Sequence, residues 1–300
     1  MNTHNIVCYG EVLWDLLPSG AKAGGAPMNV AYHLTQLGQA PAFVSRIGLD
    51  ERGKELLAVL KEKGVNTKFI QLDYDMPTGI VHAVADSNGD MRYDIVSPVA
   101  WDYIDTDDDL LELVRQSSYF IFGSLAARNK KSHDTLFSLL EQANTKVLDI
   151  NLRAPHFNRQ IVEDLLEKAD ILKMNISELE LITGWFADFK SIEGRIALLQ
   201  ERFNISSVII TLGAEGAVVN MHGNLYKHSG FNVMVADTVG SGDSFLAALL
   251  TGILENKDPA EALAFASALG ALVASKAGGC PEYSINEIHT LINNSDKVIL

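Results

Sequence analysis

The chain has 300 residues, 47% of them hydrophobic, and a formal net charge of −14 with a pI near 4.9. That length and apolar share support one large α/β domain or two small ones. The acidic balance argues against nucleic acid or an anionic membrane as the main partner. Two cysteines, Cys8 and Cys280, lack metal-ligand spacing, and the start Met1-Asn2-Thr3-His4-Asn5 lacks a basic segment followed by an apolar core. With no apolar run near the ~20 residues of a membrane span, the expectation is a cytoplasmic protein without disulfides and without a membrane partner.

A short buried strand is predicted at 6–10. Glu11 and Asp15 then flank apolar Val12, Leu13 and Trp14, and Pro18, Gly20 and Gly24-Gly25 break the pattern. Asp15, just beyond a strand end, stands where a doubly wound sheet places ligand contacts, and reads equally as a turn aspartate. Gly24-Gly25-Ala26-Pro27-Met28-Asn29 leads into a helix with Val30, Ala31, Leu34 and Leu37 on one face and Gly38 closing it. Asn29 is either a contact for sugar hydroxyls or an ordinary helix-start asparagine. Strand 42–48 follows, and Asp50 caps a helix running to Gly64.

The texture then changes. Segments 69–72, 78–85 and 91–97 read as consecutive strands, with Ser87-Asn88-Gly89-Asp90 as a hairpin turn. Such a meander inside an alternating β/α chain predicts a small sheet outside the main one, placed as a lid over a cleft. The acidic run Asp102, Asp105, Asp107, Asp108, Asp109 and Glu112 reads as a solvated helix start rather than a metal site.

From Tyr119 the β/α alternation resumes. Strand 120–124, helix 132–143 and strand 146–150 lead to Asn151 and Arg153 beyond a strand end. After strand 170–174, Asn175 and Glu178 share a helix face, which suits orienting Mg²⁺-bound water or forming a capping box. Helix 191–203, strand 207–212, the turn Gly213-Ala214-Glu215-Gly216 and a hairpin about His222-Gly223-Asn224 come next. Helices are predicted at 259–276 and 284–293, separated by Gly278-Gly279-Cys280-Pro281.

Between the hairpin and those helices lies Asp237-Thr238-Val239-Gly240-Ser241-Gly242-Asp243-Ser244-Phe245, a glycine-rich turn opening a helix through Leu246, Leu249, Leu250 and Ile253. The first amides of a helix lack intrahelical partners and carry partial positive charge, which suits phosphate or an oxyanion. Asp243 would repel a merely bound phosphate. It fits a general base drawing a proton from a hydroxyl while the amides hold the phosphoryl group. On the turn alone, it reads as well as an acidic first-turn residue favoured by the dipole.

Together these stretches resemble the ribokinase/PfkB family of sugar kinases, and within it the fructokinase-like branch, from about Ile6 to about Ile292. Gly10-Glu11 with Asp15 resembles the family's N-terminal sugar-binding segment, and Gly24 to Ala31 its first signature. Lys173-x-Asn175-x-x-Glu178 is similar to the nucleotide/Mg²⁺ motif, Thr211 to Gly216 to the nucleotide loop, and Asp237 to Phe245 to the second signature.

The resemblance implies a single ribokinase-like three-layer α/β/α domain over 1–300. Its central sheet would be parallel-dominated, with a small lid from strands at roughly 12–24 and 69–100. It implies transfer of the γ-phosphoryl of MgATP to a small sugar, with fructose the leading acceptor. Ribose and 2-keto-3-deoxygluconate are the rival acceptors, and a silent sugar or nucleotide binder is the rival class. Asp243 would be the base, with Gly240, Ser241 and Gly242 in the anion hole. Asp15, Gly25, Asn29 and Arg153 would hold the sugar. Lys173, Asn175, Thr211, Gly213 and Gly216 would hold the nucleotide, with Asn175 and Glu178 organising Mg²⁺. Many relatives bind a monovalent cation such as K⁺, here near Asp237, Val239 and Gly278, and many pair through the lid as homodimers. Three places depart from the pattern: Glu282 replaces a small polar residue, Ile150 a proline, and Arg92-Tyr93-Asp94-Ile95 lacks a tyrosine-arginine pair. For a sugar acid, Arg153, Arg92 and Arg128 are the candidate pocket cations.

Overall fold

A computed structural model describes residues 5–17, 20–85 and 91–295. In chain order they form β1 (Ile6–Tyr9), β2 (Leu13–Leu17), β3 (Gly20–Gly24), α1 (Ala26–Gln36), β4 (Ala42–Gly48), α2 (Glu51–Glu62), β5 (Ile70–Asp73), β6 (Gly79–Ala85) and β7 (Met91–Ile95). Then follow α3 (Asp108–Gln116), β8 (Tyr119–Gly123), α4 (Lys130–Leu140), β9 (Thr145–Asp149), α5 (Arg159–Leu166), β10 (Ile171–Asn175), α6 (Ile176–Gly184) and α7 (Ile192–Phe203). The last elements are β11 (Ser207–Thr211), β12 (Ala217–Met221), β13 (Asn224–His228), α8 (Ser241–Leu254), α9 (Pro259–Ala274) and α10 (Ile285–Ser295).

β1 is apolar on both faces, the pattern of a strand covered on both sides. Ile6 and Cys8 enter one core and Val7 and Tyr9 the other, as period-two alternation requires. Around it runs a nine-stranded sheet in the order β13-β12-β11-β10-β9-β8-β1-β4-β5. Every pairing from β11 to β5 is parallel, and the β12–β13 hairpin adds an antiparallel edge. α3 to α7 cover one face through residues such as Leu136, Leu165 and Leu199. α1, α2 and α8 to α10 cover the other through Leu34, Leu56, Leu249 and Leu269. Each such buried side chain contributes ~1.5–3 kcal/mol, so these two layers dominate the stability. The three-layer α/β/α core is therefore as expected. Among the described residues no helix is long and apolar enough to cross a membrane.

A second, four-stranded sheet has the order β3-β2-β6-β7. Its membership corrects one expectation, because the strand at 70–73 belongs to the edge of the main sheet. Arg46 on β4 donates to Asp73 at 2.7 Å, and the Leu49 amide to the Asp73 carbonyl at 2.7 Å, so β5 is tied beside β4. The turn expected at Ser87 to Asp90 lies outside the described residues, as does the Arg92 side chain.

The acidic run also needs correction. Asp107 caps α3 through the Leu110 amide at 2.8 Å, as a helix-start aspartate should. Asp102, however, is fully buried. Arg128 grips it with two bonds of 2.7 and 2.8 Å, donates to the Val96 carbonyl and lies 3.9 Å over the Trp101 ring. Arg128 is thus neutralised inside the core, and is not a cation free for a substrate.

Candidate active site

The parallel strands end on one side, and ligands of such sheets gather beyond those ends. Glu11 follows β1, Asp149 ends β9 and leads to Arg153, Asn175 ends β10, and Thr211 ends β11. α8 begins in the same region. Gly240 precedes it at φ 77°, and a Cβ there would run into the Gly279 carbonyl, so glycine is required. No side chain caps α8, unlike α2, α3 and α7, which Asp50, Asp107 and Ser191 cap. The Ser241 amide donates to the Thr238 carbonyl at 3.3 Å, and the Gly242 and Asp243 amides are left for an anion.

α1 packs against α8 and carries Asn29 to Asp243. Asn29 Nδ2 donates to Asp243 Oδ2 at 2.8 Å, and the Cys280 thiol donates to Asn29 Oδ1 at 3.2 Å. Asp243 is only 9% exposed. Burial holds its carboxyl above the ordinary aspartate range, and Asp149 adds to the rise. Lys173, the Asn29 bond and Arg153 oppose it.

Lys173 and Asp149 face each other across β10 and β9. The ammonium meets the two Asp149 oxygens at 3.0 and 2.8 Å, with both side chains below a tenth exposed. A Cβ on Gly242 would lie 2.9 Å from Lys173 Nζ, so this cation sits under the first turn of α8. Burial alone would lower the Lys173 pKa; Asp149, Asp243 and Glu178 outweigh it and the charge is held.

Asn175 and Glu178 form the capping box. The Glu178 amide donates to Asn175 Oδ1 at 2.9 Å, and Glu178 Oε2 accepts the Asn175 amide at 2.9 Å. Glu178 Oε1 also accepts the Leu152 amide at 2.8 Å. Burial raises the Glu178 carboxyl, and Asp149 nearby adds to it. Thr211 lies beside Asn175 in register. Gly213 and Gly216 shape the next turn at φ 62° and 87°. Among the described residues no group of three His, Cys, Asp or Glu side chains could hold a metal by itself.

Asp15 on β2 lies opposite Lys22 on β3. Burial lifts its carboxyl to about 6, with Asp237 adding to the rise and Arg153 and Lys22 opposing it. Gly25, at φ 120°, lets the backbone pass against the Glu11 carbonyl. Arg153 is exposed, yet its charge is felt by Asp15, Glu11 and Asp243, so it overlooks the same space. Asp237 holds the turn before α8. Its Oδ1 accepts the Val239 amide at 3.1 Å and its Oδ2 the Gly278 amide at 3.0 Å.

The burial of Glu11 and the anchoring by His33 escape sequence reasoning. Glu11 is 3% exposed; Oε1 accepts the Ala26 amide at 3.2 Å, and Oε2 has no partner among the described residues. Burial raises its carboxyl to about 7, with Asp243 adding to the rise. The sequence marks it only as an acid after a buried strand and as part of the Gly10-Glu11 segment of the resemblance. His33, fully buried in α1, donates from Nε2 to the Gly279 carbonyl at 2.9 Å. Its Nδ1 therefore accepts from the Tyr283 hydroxyl at 3.0 Å. Tyr32 and Lys63 bind the Pro281 and Cys280 carbonyls at 2.9 and 3.0 Å. The 279–283 loop that packs on Gly240 is thus fixed from behind.

A parallel-dominated sheet, a small second sheet and an uncapped glycine turn holding a buried aspartate define a phosphotransferase of the ribokinase-like fold. The chain belongs to the pfkB family of carbohydrate kinases, whose pattern matches residues 4–285, and it is a carbohydrate kinase. It is 31% identical to fructokinase-2 of Solanum lycopersicum, over 92% of each chain. The crystal structure of a Xylella fastidiosa fructokinase with bound ATP superposes with a TM-score of 0.85 at 22% identity, covering 98% of this chain and 99% of the other. A Vibrio cholerae fructokinase variant in fructose-, ADP- and potassium-bound form gives 0.83 at 24% identity, covering 97% and 98%.

Proposed function

We propose that the protein phosphorylates a small sugar at a primary hydroxyl, using the γ-phosphoryl of ATP, and that fructose is its acceptor and fructose 6-phosphate its product. The observation that carries this reading is Asp243, buried beside the uncapped turn of α8 with Asn29 bonded to it at 2.8 Å. The similarity to plant fructokinases supports the choice of sugar.

In this reading Asp15, Gly25, Asn29 and Arg153 hold the sugar hydroxyls. Asp243 takes the proton from the acceptor O–H as that oxygen bonds to the γ-phosphorus. The bond from that phosphorus to the bridging oxygen breaks, and ADP leaves with the electron pair. The Gly240, Gly242 and Asp243 amides receive the charge on the phosphoryl oxygens, with Lys173 beneath them, while the Ser241 amide holds the turn through the Thr238 carbonyl. Lys173, Asn175, Thr211, Gly213 and Gly216 line the nucleotide. Each Glu178 oxygen already accepts one amide and keeps a lone pair. That suits Glu178 and Asn175 to reach Mg²⁺ through water, where the ion would neutralise polyphosphate charge.

The test is ADP release with MgATP against fructose, ribose, tagatose, adenosine and 2-keto-3-deoxygluconate. Preference for fructose with fructose 6-phosphate formed supports the reading. Faster turnover of the sugar acid would assign Arg153 to a carboxylate and overturn the choice of fructose. No turnover of any acceptor, with ATP still bound, would overturn the catalytic reading.

A further inference from the structure

Asp237 brings a negative charge to the turn whose amides face an anion. Its two amide bonds position the carboxylate without neutralising it. A cation beside that carboxylate would offset its charge at the turn. A potassium ion accompanies fructose and ADP in the Vibrio cholerae structure. Here the nearest charge of that kind belongs to the chain itself. Lys22 Nζ lies 3.8 Å from Asp237 Oδ2, the oxygen that also accepts the Gly278 amide. A Cβ at Gly278 would lie 3.6 Å from the same ammonium. Lys22 projects from β3 of the small sheet at the position opposite Asp15, so it stands between two carboxylates of the site.

We propose that Lys22 is the resident univalent cation of the turn before α8, supplying from the small sheet the charge that a potassium ion would otherwise supply, and that the protein needs no such ion. An ammonium and a potassium ion carry one charge each and are of similar size. Asp237 Oδ2 already faces an amide and an ammonium, a donor set that does not fit a bound metal ion as well. Lys22 touches no reacting atom in this account; it acts through Asp237 and the turn.

The activity arm of the test rests on the kinase reading, so a binding arm accompanies it. Phosphorylation rates of wild type, Lys22→Met and Lys22→Arg are measured in choline chloride and in potassium chloride at equal ionic strength. The wild type should change by less than about twofold, whereas Lys22→Met should drop about tenfold in choline and recover in potassium, with Lys22→Arg near wild type. In parallel, potassium should raise the melting temperature of Lys22→Met but not of wild type. Strong stimulation and a potassium-dependent melting shift in the wild type would overturn the proposal. So would a Lys22→Met protein indifferent to the salt. If no sugar is phosphorylated, the kinase reading fails while the melting comparison still decides the role of Lys22.

Discussion

Replacing Lys173 by methionine should expose two separate roles of one buried cation. Its ammonium is bonded to both Asp149 oxygens, and Asp243 and Glu178 are close enough to influence its charge. Without it, Asp149 is left buried and uncompensated, at a cost of ~3–5 kcal/mol. With an unfolding entropy of ~2.1 cal/mol/K per residue over this chain, that is a fall of roughly 5–8 °C in melting temperature. Replacing both partners, Lys173→Met with Asp149→Leu, removes the charges together and should restore most of that stability. It should not restore activity, because the cation under Gly242 is missing; a loss of ~10²–10³ in kcat/KM is expected to persist. The assay is a double-mutant cycle of urea melts and steady-state rates. Recovery of both stability and kcat/KM in the double variant would refute the catalytic role and leave Lys173 a structural residue.

Asp243→Asn should keep ATP and sugar binding while turnover falls ~10²–10⁴-fold; near-normal turnover would show that the base is another group. Because burial raises the Asp243 carboxyl, the wild-type kcat/KM should fall with decreasing pH along a limb lying above the ordinary aspartate value. A pH–rate profile flat down to that value would contradict it. For His33, burial first and Lys63 second lower the pKa from 6.5 to about 4, against the Gly279 bond. The unfolded chain therefore gains a proton between those values that the folded chain refuses, and His33 withdraws up to ~3 kcal/mol of stability as pH falls through that window. His33→Gln should lose less stability from pH 7 to 4 than wild type in urea melts; an equal loss would refute the assignment.

What the sequence revealed was local. The Gly240–Asp243 turn, the Pro27 helix start and the Asp50 cap are each defined within a few residues, and each stands where it was read. The pairing of β5 was not legible, because Ile70 to Asp73 suits either sheet and only Arg46, 27 positions away, ties it to β4. Asp102 was misread because its partner Arg128 lies 26 positions on and its burial depends on Trp101. The burial of Glu11 and the roles of His33 and Lys22 were missed for the same reason: their partners come from distant elements. Asn175 and Glu178 show the opposite limit, since one spacing serves both a cap and a metal contact, and the observed cap leaves lone pairs for the second use.

The bond from Asn29 to Asp243 spans 214 positions of sequence. During synthesis α1 emerges early, but the helix it packs against arrives only with residues 241–254. At ~5–20 residues per second, the ribosome leaves Met28, Val30, Ala31 and Leu34 without that neighbour for roughly 10–40 s. During that interval the nascent chain presents an apolar helix face to chaperones and aggregation partners. A translation product cut short before α8 would then be a client for degradation and not a weaker kinase.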